Sequence, residues 1–134
     1  MIVVDENVIA SQCELLRTWR IPFRQIGHDL GHPGMDDREE IIPLLHRPPQ
    51  ATFFTRDPDF YDRVLCHSSY CIVVLSVRKD ETAHYLRNYL RHRSFNTRAK
   101  RMGCVVRVNP VQIRCWKRGV EWEEIIPWAR RASR

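Results

Sequence analysis

Residues 51–60, Ala51-Thr52-Phe53-Phe54-Thr55-Arg56-Asp57-Pro58-Asp59-Phe60, and residues 71–75, Cys71-Ile72-Val73-Val74-Leu75, decide the fold. Each contains a short apolar run with no polar alternation. A strand of that kind is buried on both faces, as in a parallel sheet covered by helices. Between them, Arg56-Asp57-Pro58-Asp59 reads as a turn and Phe60 to Cys66 as a short helix.

The same grammar extends outward. Ile2-Val3-Val4 is a strand that stops at Asp5-Glu6-Asn7. Val8, Ile9, Leu15, Leu16 and Trp19 recur near helical spacing, which predicts a helix over 8–19 capped by Asp5 or Asn7. Phe23 to Ile26 is a second strand, and 27–34 is a Gly/His/Pro loop. Asp36-Asp37-Arg38-Glu39-Glu40-Ile41-Ile42 opens a helix with acids in its first turn, which Pro43 should kink or shorten. Downstream, Asp80 is placed to cap a helix over 81–93, and Cys104 to Val108 is a further strand. Val111 to Trp116 and Val120 to Trp122 are two more strands, joined at Lys117-Arg118-Gly119. Strands alternating with helices predict an α/β fold, a mainly parallel central sheet with helices on both faces and a β-rich C-terminal tail. The 134 residues suit a single domain, 1–134, divided into an α/β core over 1–95 and a strand-rich extension over 96–134.

Composition narrows the function classes. Hydrophobic residues make up 43% and charged residues 28%, a globular balance. No apolar run approaches the roughly 18 residues of a membrane span. The opening Met1-Ile2-Val3-Val4-Asp5 has no basic n-region, so no secretory signal is expected. Five cysteines without a Cys-x-x-Cys point to free thiols and a cytoplasmic setting. Charge is unevenly spread: residues 1–62 carry eleven acids and six bases, residues 63–134 five acids and sixteen bases. Thr82 to Gly119 holds ten basic residues and no acid, and 19 of the 22 bases are arginine. Arginine presents a planar fork that matches phosphate and stacks on bases, so this half reads as a footprint for a polyanion.

Ligands of open parallel sheets bind outside the carboxyl ends of the strands. Asp5 lies at one such end, Asp57 and Asp59 at another, and the acids 36–40 follow the second strand. Clustered carboxylates are costly unless a cation neutralises them, and an all-oxygen set selects Mg²⁺ or Mn²⁺. Each acid also has a plain structural reading, as a helix cap or a turn.

Val4-Asp5-Glu6-Asn7, the acidic helix start near residue 37 and Thr55-Arg56-Asp57-Pro58-Asp59-Phe60 together resemble the PIN-like nucleases of toxin–antitoxin operons, relatives of VapC toxins. The resemblance covers residues 1–77 in motif order. It implies a Mg²⁺- or Mn²⁺-dependent ribonuclease with a quartet of acids: Asp5, Asp57 and Asp59, completed by Glu40 or Asp37. Asn7 and Thr55 would orient ligands or water, and Arg56 would meet the scissile phosphate or pair with an acid. Arg87, Arg91, Arg93, Arg98, Lys100 and Arg101 would track the RNA backbone. The implied partners are RNA, a small antitoxin protein and a second copy of the chain, with no membrane.

Three rivals compete. A non-catalytic PIN-like binding module would keep the basic face with acids that bind metal poorly. A phosphoacceptor receiver would use Asp57, but it expects a lysine before the proline of Arg107-Val108-Asn109-Pro110. A zinc site from Cys66, His67 and Cys71 has unsuitable spacing. The tail tryptophans Trp116, Trp122 and Trp128 are expected in core packing or an interface, with base stacking as the other reading.

Overall fold

The computed structural model describes residues 1–35 and 38–128. In chain order its elements are β1 (Ile2–Val4), α1 (Ala10–Thr18), β2 (Arg24–Gln25), α2 (Arg38–Leu45), β3 (Ala51–Thr55), β4 (Tyr70–Leu75), α3 (Thr82–Arg91), α4 (Arg98–Arg101), β5 (Cys104–Val108), β6 (Gln112–Lys117) and β7 (Glu124–Pro127). The segment read as a helix over 60–66 is instead two 3₁₀ turns, Pro58–Phe60 and Arg63–Leu65. Asp57 caps the first and Asp62 the second, each accepting a backbone N–H two residues on.

One seven-stranded sheet has the order β2-β1-β3-β4-β5-β6-β7. The first five strands are parallel, and β6 and β7 add antiparallel. The chain is therefore α/β with a mostly parallel sheet. The strands of the expected extension 96–134 continue that sheet rather than forming a separate layer. The final strand is 124–127, not 120–122, because Val120 N–H donates to the Lys117 carbonyl and closes a turn there.

Register explains why the apolar runs lack alternation. Val3, Phe53, Ile72 and Val105 are aligned partners across four strands. All face the side covered by Ile41, Leu44 and Leu45 of α2 and by Phe60. Their neighbours Val4, Phe54, Val73 and Val106 form the row on the other face, beneath Cys13 and Leu16 of α1 and Leu86 and Tyr89 of α3. Helices thus cover both faces, and strands β1, β3 and β4 have no side left for solvent. Truncating Phe53 or Phe54 to alanine would cost about 3–5 kcal/mol on that account.

Two expected caps are not made. Ile9, not Asp5 or Asn7, sits at the N-cap of α1 without a side-chain bond. Asp80 pairs with the Arg78 guanidinium at 2.8 and 3.0 Å, while Glu81 Oε1 accepts the Arg78 N–H. Pro43 is accommodated inside the eight-residue α2. All five cysteines are free thiols. Among the described residues no helix is long and apolar enough to cross a membrane.

Candidate functional site

Strand order places the site. In a 2-1-3-4-5 arrangement the chain leaves β1 toward β2 on one side and returns to β3 on the other, so a crevice opens at the β1/β3 carboxyl ends. An open groove of about 1170 Å³ lies there, with Asp5, Asn7, Asp57 and Asp59 among its walls.

Its centre is a hydrogen-bond chain through Thr55, the last residue of β3. Thr55 Oγ1 donates to Asp5 Oδ2 at 2.6 Å and accepts the Asp57 N–H at 3.0 Å. Asp5 Oδ1 accepts the Glu6 N–H at 2.8 Å. Because Asp5 does not cap α1, its carboxylate is left to this chain. Only 5% of Asp5 is exposed. Burial pushes its carboxyl above the ordinary range, and the charges of Asp57 and Glu6 push the same way; the bonds from Thr55 and Glu6 pull it back. Asp57 is half-buried and uses Oδ1 to accept the Asp59 N–H at 2.9 Å. Asp59 is exposed on the rim.

The loop after β1 is shaped by a residue that the motif reading passed over. Gln25, buried on β2, donates from Nε2 to the carbonyls of Asp5, Glu6 and Val8 at 3.1–3.2 Å. Position in the strand was the available signal: Gln25 alternates with exposed Arg24 and so falls on the inward side. Glu6 is turned away from the groove: its Oε1 accepts the Gly34 N–H at 2.8 Å. Gly27 sits at φ +86°, a left-handed backbone conformation that strains any side chain, and a Cβ there would also displace the Glu6 carboxylate.

Other expected residues divide. Arg56 lines the groove but commits Nε to the Val77 carbonyl at 2.9 Å. Glu40 is not a groove residue; it lies 3.3 Å from His32 Nε2 on the exposed side of α2. Its neighbour Glu39 lines the groove instead, because one residue along a helix turns the side chain by about 100°. Asp37 lies outside the described residues. Among those described, no three acid, histidine or cysteine side chains are drawn together as a metal cage. Mg²⁺ does not need one: it is held by one or two carboxylates plus water and substrate phosphate. The all-oxygen pair Asp5 and Asp57, with Asp59 and Glu39 on the rim, fits that chemistry.

The expected RNA track is displaced. Arg101 is 8% exposed and is a core residue: Nε donates to Thr52 Oγ1 at 3.0 Å and Nη1 to the Phe95 carbonyl at 2.9 Å. Arg98 and Arg101 flank the Met1 amine at the amino end of β1, opposite the groove. Lys100 Nζ is spent on the Arg93 carbonyl and Asn96 Oδ1. Arg87 stacks on Trp19 at 3.7 Å, on the α1/α3 face. Arg91 and Arg93 are exposed but lie outside the groove. The groove's own arginines are Arg38, Arg56 and Arg63, all from around the acidic segment. Arg38 bridges the Asp59 carbonyl at 2.8 Å and Asp62 Oδ2 at 3.0 Å, tying α2 to both 3₁₀ turns.

The tail reaches the site after all. Trp116, on β6, lines the groove, and Glu123 accepts from both Arg114 and the groove residue Tyr61. Burial, and then that carboxylate, hold the Tyr61 phenol well above its ordinary pKa.

No family model matches this chain, and comparisons with curated proteins and with solved structures return no significant match. The reading of the groove rests on its own chemistry.

Proposed function

We propose that the β1/β3 groove is a metal-dependent phosphodiesterase centre of the PIN-like kind, acting on RNA. The observation that supports it is the Asp5–Thr55–Asp57 chain at the strand-order switch. One hydroxyl holds the Asp5 carboxylate of the first strand end and the backbone N–H of Asp57 that opens the acidic turn after the second, in a groove whose walls carry arginines. A divalent ion bound there would supply Lewis-acid chemistry, lowering the pKa of water and offsetting charge on phosphoryl oxygens. The chain's own residues do the rest. Thr55 fixes the rotamer of Asp5 and the entry of the Asp57 turn. Arg38 holds the rim turn, and Arg56 has guanidinium nitrogens beyond Nε to turn toward a phosphate. Asp5 is disfavoured as an anion while alone and ionises readily beside a cation.

The test is Asp57→Asn. Asparagine keeps the shape and the turn but removes the charge that holds a hard cation. Calorimetric titration with Mn²⁺ and cleavage of single-stranded RNA are the two readouts. The variant should lose both, with an unchanged circular dichroism spectrum. Retained, metal-dependent cleavage in Asp57→Asn would remove this residue from the mechanism.

One observation favours the non-catalytic module: both Asp5 oxygens already accept hydrogen bonds, and burial opposes their charge. That reading expects RNA binding with no Mn²⁺ heat. The receiver reading has the same strand order, but Asn109 stands before Pro110 where it expects a lysine, and the nearby Arg107 gives Nε to Ser76 Oγ at 3.0 Å. Labelling by a small-molecule phosphodonor tests it.

A further inference from the structure

The groove is larger than the ~300–1,000 Å³ typical of small-molecule sites, and its far wall carries Tyr61, Arg63 and Trp116 beside Asp62, whose two oxygens are taken by Arg38 and the Val64 N–H. Trp116 stands there on β6, in register with Val105 of β5, so a strand and not a loop sets its position. Its inner edge packs against the core that includes Phe60 and Ile72, and its backbone carbonyl accepts the Cys66 thiol at 3.6 Å. Arg63 lies over the ring at 5.5 Å from the centroid.

A second arginine–tryptophan pair in the molecule shows what that distance means. Arg87 sits 3.7 Å from the Trp19 centroid, in contact, and its buried Nε has no hydrogen-bond partner. That stack is closed. Arg63 is exposed, stands nearly 2 Å further off, and belongs to a turn fixed by Asp62, whose other oxygen is held by Arg38. The Trp116 stack is open, and it is wired to the acidic end of the groove through Arg38, Asp62 and Arg63.

We propose that Trp116 and Arg63 form a stacking platform for an unpaired base, so that the groove takes single-stranded nucleic acid and not duplex. A planar base is the ligand that a loosely capped indole face accepts, and Arg63 adds a second plane or a phosphate contact. Single-strandedness follows from span: Asp5 follows β1 and Trp116 lies on β6, four strand spacings or roughly 19 Å away, so a strand with a phosphate at the acidic end lays a base a few nucleotides along on the wall, and only an unpaired base has a face free to do so. The inference rests on the nucleic-acid reading of the groove, but not on catalysis.

The experiment is binding in EDTA, which separates the platform from the metal site. Fluorescein-labelled oligouridylate, oligodeoxythymidylate and a hairpin duplex, each about ten nucleotides long, are titrated by anisotropy, with quenching of intrinsic tryptophan fluorescence as the second readout. Trp116→Ala should weaken single-strand binding by roughly 5- to 150-fold and leave the weak duplex binding unchanged. Trp116→Phe should stay within about threefold of the parent while losing most of the quenching, which covers the case in which the alanine variant does not fold. Trp122→Phe, exposed and outside the groove, should keep affinity and quenching. Arg63→Gln should flatten the log–log salt dependence by about 0.7 for a phosphate contact. Comparing the ribose and deoxyribose strands shows which sugar is preferred, and a Trp116-dependent affinity for either supports the platform. Parental affinity in folded Trp116→Ala, unchanged quenching in Trp116→Phe, or duplex bound as tightly as single strand would overturn it. A protein that binds through Trp116 yet never takes up Mn²⁺ keeps the platform and loses the nuclease reading.

Discussion

Strand β3 buries a threonine near each end, and the two ends treat charge in opposite ways. At the carboxyl end Thr55 donates to Asp5, whose carboxylate faces an open groove and is pushed toward its neutral form. Near the amino end Thr52, on the other face, accepts from Arg101, whose guanidinium also meets the Phe95 carbonyl. Arg101 is satisfied by its own protein and ties α4 to the sheet. Asp5 is held in place with its charge unanswered. A buried charge that the fold completes is a clamp; one that the fold orients and leaves wanting a cation is a candidate site.

The comparison breaks most visibly at Arg101. Arg101→Met keeps the stem but leaves the Thr52 hydroxyl and the Phe95 carbonyl unpaired, which should cost about 2–5 kcal/mol of stability in urea denaturation. Mn²⁺ uptake at the other end should be unchanged. Addition of Mn²⁺ at a hundred times its dissociation constant should stabilise the parent protein by about 2.7 kcal/mol, read as a rise in Tm. Asp57→Asn should show no such rise, and a metal-induced rise of parental size would end the site's part in the comparison.

Thr55→Val sharpens the same contrast. It strips one bond from a buried carboxylate and one acceptor from the Asp57 N–H, at about 1–3 kcal/mol, and should also weaken Mn²⁺ binding by roughly 10- to 100-fold as a loss of ligand orientation. Thr52→Val should cost a similar amount of stability with no change in metal affinity. Calorimetry on the pair separates the ends.

Asp5 adds a pH dependence of defined sign. Its folded-state pKa lies above the unfolded value, so the folded protein binds the extra proton, and stability falls as pH rises through that window. Without metal, the stability of Asp5→Asn relative to the parent should therefore increase as pH rises from about 4 toward neutrality, and the trend should vanish below the ordinary carboxylate range. Denaturation of both proteins at several pH values checks it. Saturating Mn²⁺ should reverse the preference.

The smallest effects belong to the basic half. Charge patterning assigns Arg87 and Arg91 to RNA and predicts that their joint removal flattens the salt slope by one to two units. The groove lies elsewhere, so Arg91→Ala with Arg93→Ala should leave RNA affinity and slope essentially unchanged, whereas Arg56→Gln should flatten the slope by about 0.7. A salt slope that responds to Arg91 and Arg93 would return them to the nucleic-acid surface.

Much of the molecule is legible in one dimension. The runs Ala51–Thr55 and Cys71–Leu75 announce strands buried on both faces, because side chains alternate along a strand and neither face of these is polar. That Asp5 and Asp57 come to one edge of the sheet follows from the same reading, since parallel strands carry their carboxyl ends to one edge. Local chemistry misleads where two arrangements share a signature. Asp5 beside a helix start resembles a cap, and Glu40 beside Ile41-Ile42 resembles a site acid, although Glu39 is the one on the groove.

What the sequence by itself determined is the set of elements, their parallel core and the carboxylates at its edge: periodicity and strand polarity are properties of a few consecutive residues. What only the tertiary structure decided is which surface meets that edge. Strand order put the crevice between β1 and β3, the return of α3 carried Arg98 and Arg101 to the far end, and the pairing of Trp116 with Val105 set the indole on the α2 side of the sheet, where it lines the groove. Contacts between residues 50 or more positions apart depend on how whole elements stack, and no local pattern of charge or hydropathy encodes that.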